Sequence, residues 1–291
     1  MNETNRFELV SVHGGHSAQF CNHAHNSLEE IIQAYVHNGF SWVGITEHAP
    51  PINDRFLYPD EVKANLNARL LKNRFGQYMD TARALQKAYR SQIDIFIGFE
   101  TETYSGSIEY MDALRRKYAP DYIVGSVHHV NDTCFDFSPD LYRQAVETAG
   151  GLDGLYERYF DLQYRMIKRL EPDVVGHFDI VRINDDSYTE RVKKPHISER
   201  IRRNLNLIAD LDLILDLNVK SYAKGAVEPY PACQLVEQAL ELGITLVPGD
   251  DSHGVDSVGL NLVKGMAWLK KLGGSMNWRR PGSPADKKQP L

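Results

Sequence analysis

The sequence predicts a single α/β domain built as a seven-stranded β/α barrel of the TIM type. Three observations predict it. Seven short, β-branched apolar runs alternate with segments of helical periodicity, which calls for βαβ units and a parallel sheet. Each run stops on imidazole, carboxylate or carboxamide side chains. The 291 residues are 42% hydrophobic and 25% charged and contain no interdomain linker, enough chain to bury one large core. A barrel gathers its strand ends at one rim, so residues as distant as His13 and His253 can meet there. An open doubly wound sheet is the competing arrangement, but it concentrates its chemistry at one crevice rather than at every strand end.

Taken in order, the first run covers residues 7–12 and leads into His13. Ser27 is suited to cap a helix over 28–37, with Glu30 completing a capping box and Gly39 closing it. Run 42–45 leads into Glu47-His48, and residues 59–91 read as a long helical excursion with Gly76 as a break. Run 93–98 leads into Glu100; a helix over 108–118 stops before Pro120. Run 122–127 ends on His128, after which Leu155, Tyr159, Leu162, Met166 and Leu170 mark the sheet-facing stripe of a helix over 155–170. Run 174–176 leads into His177, run 213–217 into Asn218, and run 244–248 into Asp250-Asp251-Ser252-His253, with helices over 198–211 and 232–242 between them. Residues 273–291 are polar and rich in Gly and Pro, which predicts a flexible tail behind a barrel domain of residues 1–272.

Composition excludes several classes. A net charge of −6 without a basic stripe argues against nucleic acid as a partner. No run approaches the roughly 18 apolar residues of a membrane span. Three widely spaced cysteines form no disulfide framework, and the first residues hold no apolar signal core, so the expectation is a cytoplasmic protein. Oligomeric state is not specified.

The strongest local signal is His13-Gly-Gly-His16, followed by His23. Imidazoles this close behind a strand suit a borderline divalent metal, and the glycines let the backbone turn tightly. Alone, the cluster also fits a solvated histidine-rich loop. Asp251-Ser252-His253 after the last strand, a neighbour of the first in a barrel, favours the metal. Alternation along a strand lets only one of His128 and His129 point inward. His25, His37 and His196 read as surface histidines, and Cys21 as a packed thiol. Glu47, Asp179 and Asp250 read equally as groups that orient ligands or as structural residues.

The ordered set Phe20-Cys21-Asn22-His23-Ala24, Gly44-Ile-Thr-Glu-His-Ala-Pro50, Gly98-Phe-Glu100, Gly125-Ser-Val-His128, Gly176-His177 and Asp251-Ser-His253 resembles the PHP (polymerase and histidinol phosphatase) family, in its histidinol-phosphatase branch, over about residues 9–270. Tyr156-Glu-Arg-Tyr159 and the spacing of Lys224, Glu228, Tyr230 and Pro231 are similar as well. The resemblance implies a distorted seven-stranded β/α barrel. It also implies two to three divalent metals held by His13, His16, His23, His48, Glu100, His128, His177, Asp251 and His253, with Glu100 bridging a pair. Zinc, manganese and iron all suit such donors. In two places the chain departs from the family. The family opens with His-x-His, whereas this chain has one residue more between His13 and His16, which its loop must absorb. The family's arginine before Lys224 is Ala223 here, which puts the phosphate contacts in question.

The implied reaction is hydrolysis of a small phosphorylated substrate, L-histidinol phosphate, to L-histidinol and phosphate, in histidine biosynthesis. Metals supply a nucleophile at neutral pH and offset phosphoryl charge. A hydroxide bridging the pair linked by Glu100 is expected to attack phosphorus in line, with Asp251 or a water near His253 handling protons. Arg182 is the expected phosphate clamp and Lys224 an added point charge. Asp132, Asp136 and Phe137 are candidates for the imidazole and ammonium end. The alternatives are a phosphoesterase for a nucleotide or other small phosphoester, an amidohydrolase-like enzyme, and a metal-binding scaffold without activity. Glu100 and the lack of a lysine at a strand end argue against the second.

Overall fold

All seven apolar runs are strands in the computed structural model, which describes residues 7–282. They are β1 (Val10–Ser11), β2 (Trp42–Ile45), β3 (Asp94–Ile97), β4 (Val124–Gly125), β7 (Val174–Val175), β8 (Ile214–Asn218) and β9 (Thr245–Gly249). Between β4 and β7 lies a hairpin that the apolar pattern did not announce, β5 (His129–Val130) with β6 (Thr133–Cys134). Its turn residues Asn131 and Asp132 take φ of 50° and 62°, the left-handed pair that two-residue hairpins favour.

The strands form two parallel sheets, ordered β1-β2-β3 and β4-β7-β8-β9. Backbone contacts link them on both sides. Glu100 bridges His48 on one flank and Val124 on the other, with Thr101 N donating to Val124 O at 2.8 Å. Val12 N donates to Pro248 O at 2.9 Å and Asp251 N to His13 O at 2.8 Å. The architecture is therefore a single α/β unit with parallel sheets.

The helices are α1 (Leu28–His37), α2 (Pro59–Lys63), α3 (Ala68–Tyr89), α4 (Ser107–Tyr118), α5 (Pro139–Ala149), α6 (Leu152–Leu170), α7 (Tyr188–Arg191), α8 (Pro195–Asp210), α9 (Lys220–Ala223), α10 (Cys233–Glu241) and α11 (Leu262–Lys271). The Ser27–Glu30 capping box forms as expected. The long excursion divides before α3 rather than at Gly76. Asn65 turns through φ 53°, and the Asn67 side chain accepts from Leu70 N to start α3. Gly76 stays helical within α3, with Tyr118 against it; an added Cβ would meet the Tyr118 hydroxyl at 3.2 Å. Among the described residues, no helix is long and apolar enough to cross a membrane.

One apolar cluster draws on the leading halves of the strands: Val10, Val12, Trp42, Tyr122, Val124, Val174, Ile214 and Val247. Part of the segment expected to be a flexible tail is held against the sheets. The Trp278 indole donates to Glu8 O at 3.0 Å, Arg279 pairs with Asp212 at 2.9 Å, and Arg280 pairs with Asp94 at 2.8 Å. Residues 278–280 thus lie across the leading ends of β1, β8 and β3, held by an aromatic ring and two cations that a Gly/Pro count overlooks. Residues 283–291 of that tail lie outside the described residues.

Candidate metal centre

The trailing ends of the strands bring the sequence-predicted ligands together around Glu100. Its Oε2 lies 3.3 Å from His13 Nε2 and 3.2 Å from His48 Nδ1; its Oε1 lies 3.2 Å from His128 Nε2 and 2.7 Å from His177 Nε2. His16 Nε2 is 3.5 Å from Asp251 Oδ1, and the His16 ring stacks on His253 at 4.2 Å. Three tight donor groups result: His13–Glu100–His177, His13–His16–Asp251 and His48–Glu102–His128. A fourth joins His16, Cys21, His48 and His253, so the Cys21 thiol is nearer the site than a merely packed thiol would be. His23 is the outermost expected ligand. It stacks on His253 at 5.0 Å, its side chain is 34% exposed, and it belongs to none of these groups.

Local backbone explains how the side chains converge. The residue added between His13 and His16 is absorbed at Gly14-Gly15. Gly15 takes φ 77°, and a Cβ on Gly14 would fall 2.6 Å from the Tyr35 hydroxyl. His13 therefore keeps its inward position, with Nδ1 donating to Asp216 Oδ2 at 2.8 Å. His177 and Asp251 sit at φ 35° and 48°, a left-handed conformation that costs a non-glycine residue about 1–3 kcal/mol and clusters at functional sites.

The donors fit divalent cations on two counts. Neutral imidazoles with carboxylates are their ordinary ligands. In addition, His13 Nε2, both His16 ring nitrogens, His48 Nδ1 and His177 Nδ1 are buried without a hydrogen-bond partner, and each such group costs about 1–3 kcal/mol. Burial pushes His16 down to about 3 and His48 down to about 4, so both present neutral rings. Burial, reinforced by His16, likewise holds His253 well below its ordinary value. Burial alone would protonate Glu100, but His13 and His128 hold its carboxyl well below the usual range.

Residues 14–220 match the PHP domain pattern, most of the chain. The chain belongs to the PHP family. It is 39% identical to the "Probable histidinol-phosphatase" of Schizosaccharomyces pombe over 268 residues, 91% of this chain and 87% of that one. It is 28% identical to the histidinol-phosphatase of Saccharomyces cerevisiae, over 85% and 84% of the two chains. A solved structure from Listeria monocytogenes superposes with a TM-score of 0.78 at 24% identity, covering 88% of this chain and 99% of that one. The histidinol phosphate phosphatase of Lactococcus lactis, solved with zinc, L-histidinol and phosphate, gives 0.71 at 19% identity, over 93% and 95%. At these identities the two structures bear on the fold.

Within this PHP chain the remaining expectations divide. A cavity of about 420 Å³ opens above Glu100, lined by His23, His48, His128, His177, Asp251 and His253 together with Asp136, Phe137 and Lys224. Of the adjacent histidines, His128 faces Glu100, whereas His129 turns its Nδ1 toward Glu102 at 3.5 Å. Asp132 is engaged elsewhere, accepting from Ser105 and pairing with Arg55.

Arg182 is a correction. Its guanidinium is buried, donates to Asp179 at 3.0 Å and to Pro229 O at 2.6 Å, and lies between the Tyr188 and Tyr230 rings, so it does not line the cavity as a phosphate clamp. The loop after β7 folds back on the segment before α10, and that packing occupies Nε and Nη2 of the arginine.

Three polar residues escaped the sequence reading. Asp216 orients His13, Glu102 Oε2 accepts from His128 Nδ1 at 3.1 Å, and Lys220 reaches the Asp251–His253 turn. Alternation offered a signal for Asp216, which lies two residues before Asn218 and shares its face of β8, whereas Glu102 lies past the end of β3. Glu47, left open between two roles, accepts from Ser17 N and Oγ, holding the loop that carries His16; burial pushes its carboxyl up to about 7.

Proposed function

We propose that this chain is a metal-dependent phosphomonoesterase that converts L-histidinol phosphate to L-histidinol and phosphate, as a step of histidine biosynthesis. The observation that carries the reading is the set of buried imidazoles, several with a ring nitrogen left without a partner, gathered around one ionised glutamate. Names of relatives spanning most of both chains support the substrate. His13, His16, His23, His48, Glu100, His128, His177, Asp251 and His253 would hold two to three ions of zinc, manganese or iron. Bound there, the ions would supply a water nucleophile at neutral pH and offset charge on the phosphoryl and leaving oxygens.

The protein's own groups have distinct parts in this proposal. Glu100 would offer one oxygen to the His13–His48 side and the other to the His128–His177 side, the geometry of a bridging ligand. Asp251 stays ionised despite burial because Lys220 and His13 lie nearby, so Oδ1 can accept a proton at the mouth of the site. His253 would share that mouth, its ring stacked on His16. Asp136 and the stacked Tyr58–Phe137 pair form the wall suited to an imidazole and an ammonium. Lys224 would add positive charge at the rim.

Two further readings go with this one. The backbone bonds flanking Glu100 and between β1 and β9 support closure of the seven parallel strands into a distorted barrel. Three unpaired cysteines support a reducing, cytoplasmic setting. The deciding experiment measures phosphate release from histidinol phosphate by protein reconstituted separately with manganese, zinc and iron. Turnover with at least one metal is expected. Faster turnover of a nucleotide would move the assignment to another small phosphoester, and metal uptake without turnover of any phosphoester would make the chain a scaffold.

A further inference from the structure

In the proposed reaction Lys220 enters only as a charge near Asp251, with no contact to substrate. It opens α9 two residues past the ligand-side end of β8, lines the cavity, and is partly buried. Among the described residues it has no carboxylate partner within ion-pair distance. Its ammonium instead donates to the backbone oxygen of Asp251 at 2.6 Å and approaches His253 Nδ1 at 2.8 Å. Cationic side chains without a carboxylate are uncommon beside a buried acidic site, because the charge must be satisfied by something.

An ammonium carries three protons. Its protein partners are at most two, the Asp251 carbonyl and His253 Nδ1, so at least one N–H is left for an anion in the cavity, and the carbonyl holds the head group in place. Lys224 differs: it is exposed and its side chain makes no hydrogen bond among the described residues.

We propose that Lys220 contacts the phosphoryl group directly, as the fixed cation of the site, in the role first expected of Arg182. The proposal rests on the phosphatase reading, and its test is read independently of that reading. Metal-reconstituted protein is titrated with inorganic phosphate by calorimetry, and bound metal is measured by elemental analysis, for the parent, Lys220→Met and Lys220→Arg. The methionine keeps the stem without the charge; the arginine keeps the charge.

For Lys220→Met we expect phosphate affinity to fall at least tenfold and kcat/KM by about a hundredfold, each charge-assisted contact being among the stronger hydrogen bonds, with metal content unchanged. Lys220→Arg should recover part of both. Unchanged phosphate affinity in Lys220→Met would overturn the contact. Loss of metal in proportion to activity would also overturn it, making Lys220 a support for the Asp251–His253 turn. A parent that binds phosphate but leaves histidinol phosphate intact would count against the substrate reading and leave Lys220 to be judged by phosphate binding alone.

Discussion

Two regions of the same strands are equally buried and chemically opposite. At the leading halves, Val10 and Trp42 are 0% and 1% exposed inside a purely apolar cluster; past the trailing ends, His13 and Glu100 are 0% and 1% exposed among other ionisable groups. Burying a large apolar side chain stabilises by about 1.5–3 kcal/mol, whereas a buried polar group without a partner costs about 1–3 kcal/mol. The floor of the sheet system therefore contributes the stability that its rim spends. The difference teaches that the order of the rim is sustained from below by packing and, on the proposed function, from above by cations.

Substitutions can break this comparison at either end. Glu100→Gln should lower phosphatase activity about 10³-fold or more, some 4 kcal/mol of transition-state stabilisation, and reduce bound metal, with little change in far-UV circular dichroism. Retained metal and turnover would mean that the rim does not depend on its central carboxylate. At the floor, Trp42→Ala should cost about 3–5 kcal/mol of stability in urea unfolding and leave KM of the folded protein within about twofold. Arg182→Ala should behave like a floor residue, losing about 3–5 kcal/mol because Asp179 is left as a buried unpaired charge; a raised KM without loss of stability would return it to the phosphate site.

Smaller effects sharpen the contrast. Asp216→Ala removes the acceptor that orients His13 and should weaken metal binding by about 10–100-fold, read by competition with a chelator. Lys224→Ala should change kcat/KM only a few-fold, with the effect shrinking as salt is added, as for a rim charge. A salt-independent drop as large as that expected for Lys220→Met would erase the distinction between the two lysines.

Much of this was legible in the sequence, for a physical reason. A parallel strand covered on both faces must be apolar and short, and its trailing end must face the rim, so runs such as 42–45 and 93–98 marked both the strand and the chemistry beyond it. The β5–β6 hairpin was missed because its two-residue strands carry no run. The division before α3 was missed because Gly76 is the more obvious breaker, although the capping asparagine decides. Arg182 ends a single 3-10 turn after β7 and Lys220 opens α9 after β8, and the direction of both is set by tertiary packing: one turns into a tyrosine sandwich and the other into the cavity. Residue type gave no means of choosing between them.

The segment that carries Trp278, Arg279 and Arg280 acts as a clasp beneath the molecule, fastened to strands from both parallel sheets. An affinity handle or surface linker attached after it would leave from the face opposite the reactive mouth, so immobilised protein should keep its substrate path open to solution. Removing the clasp would bare the underside of the apolar floor and leave Asp94 and Asp212 without their arginines, so shortened versions should be prone to self-association.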